Sequence, residues 1–172
     1  MKVFLFLMFS VVINSCTLKS KEDFNATLFS SAETTIKKDT VADDVSAFRK
    51  KLSEKARSII DASVRYTPDY VSIDYPNGDV PAKTGVCTDV VIRSYRKLGI
   101  DLQKEVHEDM RAHFSSYPKN WGGTKTDTNI DHRRVPNLET FFSRKGKKLP
   151  ITQNPDDYKT GAIVTWMIND KL

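Results

Sequence analysis

The feature that most constrains this chain is its N-terminal apolar run. Val3 to Ile13 is broken only by Ser10 and follows the positive Lys2. The run is too short to cross a bilayer as a mature helix. A basic start, an apolar stretch and a small residue at Ser15 are the layout of a secretory signal. Residues 1–15 are therefore expected to be a signal peptide. Folding falls to the rest of a 172-residue chain, which is long enough for one domain with a hydrophobic core.

Ile13-Asn14-Ser15-Cys16 resembles the lipobox of bacterial lipoproteins. In such proteins cleavage falls before the Cys and its thiol receives a diacylglycerol. An ordinary cleavage site with an incidental Cys is the alternative. On the lipoprotein reading Cys16 is the lipid attachment site, and the protein sits in the cell envelope facing the periplasm. Thr17 is not the Asp that marks inner-membrane retention in some bacteria, which leans toward the outer membrane. Residues 16–42 are rich in Ser, Thr, Lys, Asp and Glu and read as a flexible tether. The net charge of +5 is spread along the chain. It suits anionic cell wall or phospholipid head groups and is too diffuse to argue for nucleic acid. Two cysteines exclude a disulfide framework, and three scattered His show no zinc-ligand spacing.

The domain is expected over residues 43–172. Val45, Phe48, Leu52, Ala56, Ile59 and Val64 recur at helical spacing, with Asp43 and Asp44 at the favourable N-terminal end. Tyr70 to Tyr75 alternates and reads as a strand, and Pro76-Asn77-Gly78-Asp79 as a turn. Further helices are expected over Cys87–Leu98, stopped by Gly99, over Leu102–Phe114, and from an N-cap at Asn137 to Gly146. Residues 115–134 form a long loop, a length that often signals function. Ala162–Ile168 reads as a strand. Phe48, Leu52, Ile59, Val91, Tyr95, Leu98, Phe141, Val164 and Trp166 are the expected core.

Cys87 stands at the first turn of a predicted helix, just after Gly85. Unpaired N–H groups and the helix dipole favour a thiolate there, and the thiolate is the nucleophile. A lone Cys is also commonly a small buried hydrophobe. Other residues carry two readings each. His132 in Asp131-His132-Arg133-Arg134 is either a hydrogen-bonding hub or a substrate contact, with the Arg fork able to hold a carboxylate. Trp121 is a substrate platform or a loop anchor. Asp89 either polarises the site or balances the helix dipole.

Long ordered motifs surround Cys87. They are Tyr75-Pro76-Asn77-Gly78-Asp79-Val80-Pro81, Gly85-Val86-Cys87-Thr88-Asp89-Val90-Val91-Ile92-Arg93, Gly99-Ile100-Asp101-Leu102-Gln103 and Val106-His107-Glu108-Asp109-Met110. They continue through Tyr117-Pro118, Trp121-Gly122, Asn129-Ile130-Asp131-His132-Arg133-Arg134-Val135-Pro136-Asn137-Leu138, Phe141-Phe142 and Gly161-Ala162-Ile163-Val164. Together they resemble a family of bacterial exported proteins, domain of unknown function 1287, over roughly residues 48–168. That family in turn looks like a branch of the NlpC-type papain-like hydrolases, many of which cut peptide or amide bonds in the bacterial wall.

The resemblance implies an α+β papain-like fold, with helices packed on an antiparallel sheet. It implies Cys87 as nucleophile, with a His on a following strand as base and a third polar residue orienting that His. On the residue readings above, Trp121, His132 and Arg133 are the expected substrate contacts; peptidoglycan or another wall peptide is the expected partner, and no cofactor is expected. The chain departs from the pattern twice. Ala162 replaces the Asp of a typical Gly-Asp-Ile-Val, and the strand expected to carry the His would follow Asn169-Asp170, beyond Leu172. The domain is thus expected to be truncated at its C-terminus, and this form to be inactive or very slow. A non-catalytic wall-binding lipoprotein, or a gene fragment, is the alternative.

Overall fold

The computed structural model describes the backbone of residues 2–6 and 30–166 and the side chains of residues 42–166. Cys16 lies outside the described residues, as do most of the signal segment and the first part of the tether.

Helix α1 (Ser30–Arg57) begins inside the segment read as a tether. No Gly or Pro interrupts it, which lets a mostly polar stretch stay helical. It ends earlier than the apolar spacing suggests. Asp61 accepts the backbone N–H of Ser63 at 2.8 Å and its hydroxyl at 2.6 Å, a local side-chain turn that competes with helix.

Residues 70–75, expected as a strand, join no ladder, and Tyr75 already belongs to the turn. Their backbone groups are met by side chains instead. The Ile73 N–H donates to Asn129 Oδ1 at 2.9 Å, and the Asp74 carbonyl accepts from Gln103 Nε2 at 2.8 Å. The following turn has a cis Tyr75–Pro76 bond and Asn77 at φ 65°. At Gly78 a Cβ would lie 1.9 Å from the Asp74 carbonyl oxygen, so no other residue fits.

Helices α2 (Cys87–Arg96), α3 (Leu102–Ala112) and α4 (Val135–Lys145) form the body of the domain. Asp101 caps α3 by accepting the Gln103 N–H at 3.0 Å. Asn137 is not the cap of α4. The helix starts two residues earlier with Pro136 in its first turn, and the Asn137 amide donates inward to the Asp131 carbonyl at 3.0 Å.

Leu52, Ile92, Tyr95, Leu102, Val106, Met110, Leu138, Phe141 and Phe142 join these helices in one core. Tyr95 sits between Phe48 and Phe142, with ring centroids 6.1 and 5.8 Å away. Of the expected core, Leu52, Tyr95 and Phe141 are buried, and Phe48, Ile59, Val91, Leu98 and Val164 are half-buried. Trp166 is 65% exposed and is not core. Strand alternation explains this. Ile163 packs on the core and Thr165 donates to Glu139 of α4, so Val164 and Trp166 lie on the opposite face of the strand.

The fold is mixed helix and sheet, an α+β arrangement. Two sheets are present among the described residues, and they differ from the single antiparallel sheet expected. β2 (Arg65–Tyr66) and β3 (Thr84–Gly85) pair in parallel, because the chain loops out after Tyr66 and returns in the same direction. The other sheet has three strands, antiparallel throughout. Its outer strands are β4 (Gly146–Leu149) and β5 (Ile163–Thr165), and its centre is β1 (Lys2–Phe6), from the segment read as a signal. Among the described residues no helix is long and apolar enough to cross a membrane.

Candidate active site

Cys87 is the first residue of α2, and it is exposed. Residues from three motif segments hold this helix, and a fourth braces one of them. The first contact is local: Asp89 Oδ2 accepts the Val86 N–H at 2.6 Å, satisfying one of the donors a helix start leaves open. Asp89 is itself buried and is gripped by Arg133, Nε to Oδ1 at 2.9 Å and Nη2 to Oδ2 at 3.0 Å. The Thr88 hydroxyl donates to the Arg133 carbonyl at 2.8 Å. A short 3₁₀ turn, Asp131–Arg133, is thereby fastened to the start of α2.

On the other side Arg93 gathers the loop before the helix. Its Nε meets Asp79 Oδ2 at 3.0 Å, and its Nη2 reaches the carbonyls of Val80 at 3.2 Å and Thr84 at 3.1 Å. Arg96 adds a 2.8 Å contact to Asp79 and a 2.7 Å bond to the Gly78 carbonyl. Gly85 is needed for closeness, since a Cβ there would come within 3.2 Å of Asp89 Oδ2 and 3.3 Å of Asp89 Cβ.

Gln103, 0% exposed, is the second hub. Its Oε1 accepts the Gly78 N–H at 2.9 Å, and its Nε2 donates to the carbonyls of Asp74 and Thr128 at 2.8 and 3.0 Å. One amide thus joins the turn, α3 and the long loop.

A groove of about 370 Å³ runs beside Cys87. Ile59, Ile60, Val64 and Tyr66, which follow α1, form one wall, and Val86, Cys87 and Val90 form the other. Trp121, His132, Arg133 and the remaining two histidines are absent from its lining. Trp121 is 48% exposed, with the Arg134 guanidinium 4.1 Å from its ring. His132 is buried, and that burial holds its imidazole neutral, with a pKa lowered to about 4. Arg133 is committed to Asp89, so its fork is not free for a substrate carboxylate. His107 is half-buried against Tyr75, ring centroids 5.1 Å apart, with Nδ1 buried and without a hydrogen-bond partner. His113 ends α3, its Nδ1 3.1 Å from the Asp109 carbonyl oxygen.

Sequence reasoning missed Arg93, Arg96 and Gln103 as organisers. Asp89 and Arg93 do stand four apart on the helix, a spacing that puts them on one face. Among the described residues no group of His, Cys, Asp and Glu could hold a metal ion.

The comparisons agree with the motifs. Residues 53–172 match the family model described as Domain of unknown function (DUF1287). The chain is 51% identical over 121 residues to Uncharacterized protein YijF of Escherichia coli (strain K12), covering 70% of this chain. That match spans 59% of the relative's length. No solved structure matches. The chain belongs to the DUF1287 family.

Proposed function

We propose that this protein is a cell-envelope cysteine hydrolase of the papain-like, NlpC type, lipid-anchored through Cys16 and acting on peptidoglycan peptides. One observation carries the reading: an exposed thiol begins a helix whose end is fixed by buried polar bonds, and a groove lies against it. The Cys87 thiolate attacks an amide carbonyl carbon. The C–N bond breaks, the amine leaves with a proton taken from solvent water, and a second water then hydrolyses the thioester to the acid and the free thiol. The first N–H groups of α2 suit the oxyanion that forms on the way.

A second reading has one observation in its favour. None of the three histidines lines the groove, and a general base must come within hydrogen-bond reach, about 3 Å. A wall-binding lipoprotein that keeps the groove without turnover fits that fact. Purified peptidoglycan incubated with the protein, with products read by mass spectrometry, separates the two. Stem-peptide fragments that vanish in Cys87→Ala support the hydrolase. Wall binding without fragments supports the second reading.

A further inference from the structure

The groove beside Cys87 has a chemistry of its own. Ile60, Val64, Tyr66 and Val90 line it, and Ile60 is 81% exposed, high for a large aliphatic side chain. Three charged residues also border it, and each is already engaged within the protein. Asp61 is bonded to Lys83 at 2.6 Å and to the Ser63 hydroxyl at 2.6 Å. Lys83 and Ser63 hold its carboxyl well below the usual carboxylate range. Asp89 is held by Arg133 and by the Val86 N–H. Arg93 is held by Asp79 and the carbonyls of Val80 and Thr84.

We propose that this groove takes an uncharged aliphatic group attached to the carbonyl that Cys87 attacks, and that Ile60 and Val90 set that preference. Charge complementarity carries the choice of occupant. With its bordering charges already paired within the protein, the groove offers an incoming ion only partners it must share, while its apolar lining displaces the ion's water at a cost. An aliphatic group gains by covering Ile60, Val64 and Val90. The volume of about 370 Å³ lies at the small end of ligand pockets and leaves ample room for such a group. On the hydrolase reading, which this inference refines, small neutral residues of a wall peptide meet the requirement.

The test needs no turnover. The full chain is alkylated with N-methyl-, N-butyl- and N-(2-carboxyethyl)maleimide, and the adduct on the Cys87 peptide is timed by mass spectrometry, each rate divided by that of free cysteine. The expected result is a butyl-to-methyl advantage of about tenfold, from partial burial of three methylenes, with the carboxyethyl reagent slowest. Ile60→Asn and Val90→Asn, both at exposed positions, should shrink that ratio toward one. Rates independent of chain length, or a faster carboxyethyl reagent, overturn the proposal. Peptidoglycan that stays uncut while the butyl preference holds overturns the hydrolase reading alone.

Discussion

Arg133 closes its guanidinium on Asp89 through two bonds, 2.9 and 3.0 Å long, with both side chains almost fully shut off from solvent. The pair joins the turn at 131–133 to the first turn of α2 and so fixes where Cys87 stands. Arg133→Met should leave a buried carboxylate without its cation and destabilise the protein by about 3–5 kcal/mol. Adding Asp89→Asn should recover part of that loss. Urea titrations of the two single variants and the double variant measure the coupling. Strictly additive losses would show that the pair does not act as a unit.

His132 predicts an acid weakness. The unfolded chain protonates this residue near pH 6.5, whereas burial lowers its folded value to about 4. Stability is therefore unaffected above pH 6.5, falls as pH drops toward 4, and levels off below. The full effect is roughly 3 kcal/mol. Burial raises the Asp131 carboxyl, and its protonation works in the opposite sense over neighbouring pH. The measurement is thus the difference between wild type and His132→Gln in thermal midpoint from pH 7.5 to 4. The slope should be shallower in the variant. Parallel curves would mean that His132 titrates normally.

Asp109 governs a lower window. Burial pushes its carboxyl up, but bonds from Arg144, Lys145 and Tyr117 outweigh that and hold it at about 2. Its stabilisation is present above pH 4 and is lost as pH falls from about 4 toward 2. Asp109→Asn should remove that low-pH transition and lower stability at pH 7. A transition unchanged by the substitution would contradict the assignment.

Gln103→Leu keeps the volume but strands the Gly78 N–H and two carbonyls. A loss of about 3 kcal/mol or more is expected, each of the three polar groups left unpaired costing about 1–3 kcal/mol. Amide exchange should also quicken at Gly78 ahead of the α3 core. A variant as stable as wild type would show that water takes over these bonds.

β1 stands between β4 and β5, and these two strands share no ladder. A form starting at Cys16 should therefore show faster amide exchange at 146–149 and 163–165, while α2 and α3 stay protected. Equal protection in both forms would mean that the N-terminal strand does not support the sheet.

Legibility followed the range of the signal. Period and punctuation located the starts of α2 and α3 and placed their ends two residues too far, because the apolar face and Gly99 are local cues. Residues 70–75 carried the alternation of a strand yet pair with side chains from 103 and 129, partners that no local pattern reveals. Cys87 at a helix start was readable from Gly85 and the pattern after it. The commitment of Arg133 to Asp89 was not, since 44 residues separate the two and a free Arg fork looks the same in sequence. The groove was hidden as well, because its apolar wall comes from Ile60, Val64 and Tyr66, which read as the tail of a helix or the start of a loop.

The central claim is that Cys87 is a nucleophile for carbonyl carbon, and acyl transfer tests it most directly. The full chain is mixed with p-nitrophenyl butyrate, p-nitrophenolate release is followed, and the acylated residue is located by mass spectrometry. The account predicts a burst of release and a butyryl thioester on Cys87, caught by quenching early in the reaction. It also predicts no burst in Cys87→Ala. A burst that survives Cys87→Ala, or an intact exposed thiol that acquires no acyl group, would contradict it.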